Sequence, residues 1–190
     1  MRHDQPHKPQ TLGADLRALR RARGMTLVHL AQAVGRSVGW LSQVERDKSQ
    51  PSITDLRQIA AQFDVPLSIM FRHAAAPTGE AEFIVRAGAR RPIGSSVEGL
   101  VEELLSPDLT DDFEVVHSTF MPHSRIRVAV QRPTQEIGFV ISGTLEIEID
   151  GTPHSLDPGD SFRLRGEPFR WANKTPDPVV AIWVIAPPVY

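Results

Sequence analysis

The chain has 190 residues, with 21 Lys+Arg against 23 Asp+Glu, 41% hydrophobic side chains and no cysteine. That balance excludes wholesale disorder and a fibrous repeat, and the missing thiols exclude disulfides, thiolate metal sites and cysteine nucleophiles. No apolar run reaches the ~18 residues of a membrane span, and Met1–Pro6 lacks the apolar core of a secretory signal, so a soluble cytoplasmic protein is expected.

The charge is uneven along the chain. Residues 1–72 hold 11 Lys+Arg and 6 Asp+Glu, a balance of +5; residues 73–190 hold 10 and 17, a balance of −7. A basic first third joined to an acidic remainder points to two units, the first suited to a polyanion. His73–Glu80 contains Pro and Gly without apolar periodicity and reads as a linker. It would join a helical unit over 10–72 to a β-rich unit over 81–190, with 1–9 as a flexible tail.

Five short helices are expected in the first unit. Leu12, Leu16 and Leu19 recur at helical spacing, with Thr11 as N-cap and Gly24 as stop. Thr26 caps a second helix with Leu27, Leu30, Ala31 and Val34 on one face, and Gly35 ends it. Ser37 caps a third, in which Leu41 and Val44 face inward. Pro51-Ser52 opens a fourth, with Ile53, Leu56, Ile59, Ala60 and Phe63 apolar, and Val65–Phe71 is expected as the fifth. The second and third helices are joined by a tight turn at Gly35, where positive φ is needed. That is the helix-turn-helix plan, in which the later helix of the pair enters the major groove.

Leu12–Arg20, Met25-Thr26-Leu27, Leu30-Ala31, Ser37–Arg46 and Pro51-Ser52-Ile53 together resemble the lambda-repressor-like, or XRE, family of DNA-binding domains over nearly all of 10–71. Asp47 departs from the pattern, since a glycine usually ends the recognition helix; Asp tolerates the left-handed conformation better than most residues. The resemblance makes Ser37–Arg46 the recognition helix and Val38, Gly39, Ser42 and Gln43 its base-facing positions. Gln43 can bond adenine bidentately and Val38 can touch a thymine methyl. Ser37 and the helix amides, with Arg36, Lys48 and Ser49, are candidates for phosphates; Trp40 would pack on sugar-phosphate or in the core. Glu45 and Arg46 are expected to form a structural pair.

Beyond Glu82 the runs are short and rich in Val, Ile and Phe. Strands are expected at Phe83–Val85, Phe113–Val116, Arg125–Val130, Ile137–Ile141, Leu145–Ile149, Phe162–Leu164 and Val179–Ile185. Turns at Ser142-Gly143-Thr144, Asp150-Gly151-Thr152 and Asp157–Asp160 separate them, as in an all-β sandwich or barrel. Residues 81–111 should add edge strands and a loop, with Glu102-Glu103 a surface patch on a helix or loop and Asp111-Asp112 a loop charge pair.

Glu136–Gly143 followed by Leu145–Gly151, then Leu156–Phe162 and Asn173, resemble the two motifs of the cupin family over about 112–187, which implies a double-stranded β-helix barrel. The family's three histidines and one glutamate that hold a metal map onto Val130, Arg132, Glu136 and Phe169. Valine and phenylalanine offer no lone pair and arginine only donors, so one carboxylate is left and neither a metal nor another cofactor is expected. Val130 and Arg132 share a strand face, which lets Arg132 partner Glu136 or bind the anionic group of a small effector. Phe169, Trp171 and Phe139 are candidate walls of that site. A relocated metal site would have to draw on His117, His123 and His154; His3 and His7 lie in the tail, and His29 on the second helix.

Together the two resemblances imply a one-component bacterial regulator: a homodimer that reads a near-palindromic operator and responds to a small molecule, more often a repressor than an activator. The rival reading is a metal-dependent cupin enzyme with an accessory helix-turn-helix domain. A third is a barrel that only dimerises.

Overall fold

The computed structural model describes residues 11–71, 80, 83–94, 97–107, 109 and 111–188. The tail at 1–9 and all of the expected linker except Glu80 lie outside the described residues. The rest falls into two compact units, within Met1–Ala89 plus Pro107–Thr110 and within Arg90–Ser106 plus Asp111–Tyr190.

The first unit contains α1 (Leu12–Ala22), α2 (Leu27–Ala33), α3 (Val38–Val44) and α4 (Ile53–Phe63). Each begins at a hydroxyl. Thr11, Thr26, Ser37 and Ser52 accept the amides of Ala14, His29, Trp40 and Asp55, satisfying donors that a helix start leaves orphaned. At α4 the cap is reciprocal, because Asp55 accepts the Ser52 amide in return. The expected fifth helix is a single 3-10 turn, Leu67–Met70. Pro66 has no amide to donate, no side chain caps the turn, and one turn gives too few bonds to offset nucleation. Leu16, Leu19, Leu30, Leu41, Val44, Ile59, Phe63 and Ile69 are buried in this unit.

Charged groups lock its core. Arg20 Nε and Nη2 grip the two carboxylate oxygens of Glu45 at 2.6 and 2.9 Å, both side chains being buried. Glu45 is therefore paired across the domain, not with its neighbour Arg46, whose Nε donates to the Ser42 carbonyl. The sequence-adjacent arginine loses because successive helix residues point apart, whereas α1 presents Arg20 directly to Glu45.

The second unit is antiparallel β. Its strands are β1 (Arg91–Ile93), β2 (Leu100–Leu104), β3 (Glu114–Phe120), β4 (Gln135–Ser142), β5 (Leu145–Ile149), β6 (Thr152–Leu156), β7 (Ser161–Leu164), β8 (Phe169–Ala172) and β9 (Val179–Ala186). They form a six-stranded sheet, β1-β2-β3-β9-β4-β7, and a three-stranded sheet, β6-β5-β8. One apolar cluster is shared by both: Val116, Val140, Phe162, Trp183 and Ile185 from the larger sheet, Leu145, Ile147, Phe169 and Trp171 from the smaller. Phe120 meets Trp171 edge-on at 4.7 Å and Phe162 meets Trp183 at 4.8 Å. Gly138 is needed under Phe162, since a Cβ there would lie 2.2 Å from the ring.

Three expected strands differ. Phe83–Val85 is not in a sheet, and Phe83 is 75% exposed. Phe113 precedes β3 and is exposed, because inward burial falls on Glu114, Val116, Ser118 and Phe120. Arg125–Val130 touches β8 only at its two ends, through bridges Arg125↔Ala172 and Val130↔Phe169; Val128 between them is 77% exposed. Glu102 and Glu103 lie on a strand, β2, rather than on a helix or loop.

Candidate functional site

In the first unit the candidate site is the outer face of α3. Leu41 and Val44 anchor the helix in the core, which turns the other face outward. Ser37, Val38, Gly39 and Gln43 are exposed, and Ser42 is half-buried beside them. Positions 38, 39, 42 and 43 follow the spacing of one helix face, so the four positions expected to face bases, three side chains and the Gly39 backbone, are brought together. An added Cβ at Gly39 would meet nothing within 4 Å, so no packing inside this protein demands glycine there.

The flanking residues divide. Lys48 is exposed and Ser49 half-buried. Arg36 is engaged: its Nε donates to Asp55 Oδ1 at 2.8 Å, and its guanidinium lies 5.2 Å from the centre of the half-buried Trp40 ring. The Asp55 carboxyl is held below the usual carboxylate range, first by the Ser52 hydroxyl and then by Arg36. Arg36 thus braces the start of α4 and keeps Trp40 in place, while remaining half-exposed. Sequence reading overlooked a concavity lined by Arg17, Arg21 and Arg46 together with Glu45 and Asp47. The arginines come from α1 and from just beyond α3, and only the folded packing places them side by side.

In the second unit the residues at the cupin metal positions do come together. Val130 and Phe169 exchange backbone hydrogen bonds at 2.9 Å. The Arg132 guanidinium lies 5.9 Å from the centre of the Phe169 ring, and its Nε is 3.8 Å from Glu136 Oε1. That oxygen also accepts the Thr134 hydroxyl at 2.7 Å. Glu136 Oε2 is buried with no donor among the described residues. A cation, an aromatic ring and one carboxylate do not fit a transition metal, and no group of three or more His, Asp or Glu among the described residues is placed to hold one. His117, His123 and His154 are not gathered: His117 lies 3.9 Å from Glu103, while His123 and His154 are exposed on other segments.

Two expected walls are placed elsewhere. Phe139 points out of the sheet, 42% exposed, because burial on β4 falls on Glu136, Gly138 and Val140. Trp171 is buried against Phe120 in the shared core. Sequence reading also missed Glu102, which lies opposite Ser118 on the inner face and accepts its hydroxyl at 3.4 Å. Desolvation pushes its carboxyl above the usual range, nearby Glu136 adds to this, and Arg132 and Ser118 oppose it.

Comparison with known proteins agrees with this division. Residues 11–68 match the model of a helix-turn-helix domain, and residues 116–185 that of a cupin domain. The HTH-type transcriptional regulator PuuR of Escherichia coli (strain K12) is 24% identical over 165 residues, which is 85% of this chain and 86% of that protein. The HTH-type transcriptional regulator SutR of the same organism is 42% identical over 57 residues, 30% of this chain and 32% of that one. An HTH_3 family transcriptional regulator from Vibrio cholerae, known as a crystal structure, shares 24% identity over 93% of this chain and 95% of its own, with a TM-score of 0.44. The chain thus carries an XRE-type helix-turn-helix domain followed by a cupin domain.

Proposed function

We propose that this protein is a sequence-specific DNA-binding regulator of transcription, a homodimeric repressor whose cupin domain senses a small molecule. The observation that carries the reading is the outer face of α3. It offers Val38, Gly39, Ser42 and Gln43 to solvent on a helix held rigidly by Leu41, Val44 and the Arg20–Glu45 pair. Gln43 reads a base edge, and Lys48, Ser49 and the free side of Arg36 contact phosphates. Arg17, Arg21 and Arg46 add charge on a neighbouring surface. The curated relatives bear names of transcriptional regulators, which supports the same function here.

Two features support the role of the cupin domain. The outward face of the large sheet carries Ile137, Phe139, Ile141 and Val184, each between 38 and 52% exposed, an apolar row suited to a second copy. The constellation of Val130, Arg132, Glu136 and Phe169 supplies a cation and the donor-free Glu136 Oε2 for an effector. Effector binding to one dimer geometry in preference to another would then shift operator affinity. Selection of genomic fragments by the purified protein, followed by footprinting, tests the proposal. A discrete, near-palindromic footprint is expected; uniform weak protection that vanishes with salt would contradict it.

A further inference from the structure

The second unit contains a groove of about 1050 Å³ that Val130 and Asn173 line but Arg132, Glu136 and Phe169 do not. Three separate segments form it: the turn 97–99, the irregular stretch 121–130 and the end of β8 with residues 173–174. Its floor is apolar, since Val97, Ile126 and Val130 line it and also pack on the core cluster. Its rim is cationic. Arg125, Arg127 and Lys174 line it with His123, against Glu98 alone. Lys174 is partly engaged, 3.7 Å from Glu146. Arg125 and Arg127 have no acidic partner among the described residues, and both are exposed.

This charge stands out against its surroundings. Residues 73–190 carry 17 acidic against 10 basic side chains, yet the stretch 121–132 holds three arginines and no acid. Nor is the segment shaped merely to complete a strand. It is pinned at its ends, by the bridges at Arg125 and Val130 and by Asn173, whose side-chain amide reaches the carbonyls of Phe120 and Met121 at 3.0 and 3.1 Å. Between those pins the backbone leaves the ladder, which holds Arg127 and Val128 along the groove. Gly99 permits the opposite wall to close in: its φ is +83°, and a Cβ there would lie 2.4 Å from the Ser124 Cβ.

An apolar floor under a cationic rim is complementary to one class of ligand. We infer that the groove binds a small organic anion with an apolar body, a carboxylate whose head is held by Arg125 and Arg127. The inference goes beyond the sensor reading above, because it names a ligand class for a second place, outside the Arg132–Glu136 pair. It needs no DNA for its test.

Calorimetric titration of the full-length protein with octanoate and with its neutral counterpart octanamide, at fixed ionic strength, separates charge from apolar contact. Octanoate is expected to bind at least tenfold more tightly than octanamide. The double variant Arg125→Gln/Arg127→Gln should lose that preference, and Arg125→Lys/Arg127→Lys should recover part of it, with unchanged thermal unfolding showing that each is folded. Equal affinity for the two probes, no binding of octanoate, or full octanoate binding by the glutamine variant would overturn the inference. A clear operator footprint alongside any of those results would leave the regulator reading intact. Selective octanoate binding without a footprint would leave the groove and remove the regulator.

Discussion

Asp47 ends the turn after α3 in the left-handed region, at φ 57°, and its Oδ1 accepts the backbone amide of Gly13 at 3.0 Å, near the start of α1. Its other oxygen accepts the Thr11 hydroxyl. The close approach leaves no room at Gly13, where a Cβ would lie 2.4 Å from the Val44 carbonyl. Glycine at position 47 would adopt that φ more cheaply, but only a side chain there can cap α1 from across the domain. Asp47→Ala should therefore destabilise the helical unit by about 1–2 kcal/mol, the range of a lost N-terminal cap. Asp47→Gly should cost less, because it relieves the backbone while losing the same bonds. Denaturant unfolding checks both, and an Ala variant as stable as the parent would refute the role of the carboxylate.

Gly39 separates stability from recognition. Its Cβ position is open, so Gly39→Ala should stabilise α3 by up to about 0.5–1 kcal/mol. If the backbone there approaches a base or sugar, the added methyl should weaken operator binding at least tenfold. A variant that melts higher and binds operator as tightly as the parent would place residue 39 away from the DNA.

Glu102 makes a pH prediction. Its carboxyl is held above the usual range, chiefly by desolvation, so the folded state holds its proton more tightly than the unfolded chain. The favourable contribution is present at low pH and is lost as pH rises from the ordinary carboxylate range through the raised value. Glu102→Gln should thus unfold at a higher temperature than the parent at neutral pH, with the gap closing below about pH 4. Tryptophan fluorescence reports it, as Trp171 and Trp183 both lie in the β unit. A gap that widened on acidification would contradict the direction.

The apolar row on the large sheet predicts association. Ile137 and Phe139 point outward, and replacing Phe139 with Asp disturbs no buried contact of the inner face. Sedimentation should show a dimer for the parent and a monomer for Phe139→Asp, with operator affinity falling in parallel. A dimeric variant would move the interface elsewhere.

Local chemistry made much of the helical unit readable. Thr11, Thr26, Ser37 and Ser52 cap in the positions their hydroxyls suggest, and Gly24 and Gly35 have the positive φ their turns need. The alternation of Leu145–Ile149 likewise emerged as a strand. What failed depends on distant partners. Two adjacent acids disguised β2, because Glu102 faces Ser118 inside while Glu103 pairs with Arg90 outside. The stretch 125–130 alternates like a strand but meets its neighbour only at the ends. Glu45 found Arg20, 25 residues away, instead of adjacent Arg46. The cationic groove needs three segments far apart in the chain, and no local pattern records that convergence.

Fluorescence anisotropy on a selected operator and a scrambled duplex, for the parent and Gln43→Ala at several salt concentrations, tests the central claim most directly. The account predicts operator-selective binding by the parent and a loss of about 1–3 kcal/mol for Gln43→Ala on the operator alone, with the salt slope unchanged. Equal affinity for both duplexes, or an effect of Gln43→Ala that is the same on each, would mean that the exposed face of α3 does not read sequence.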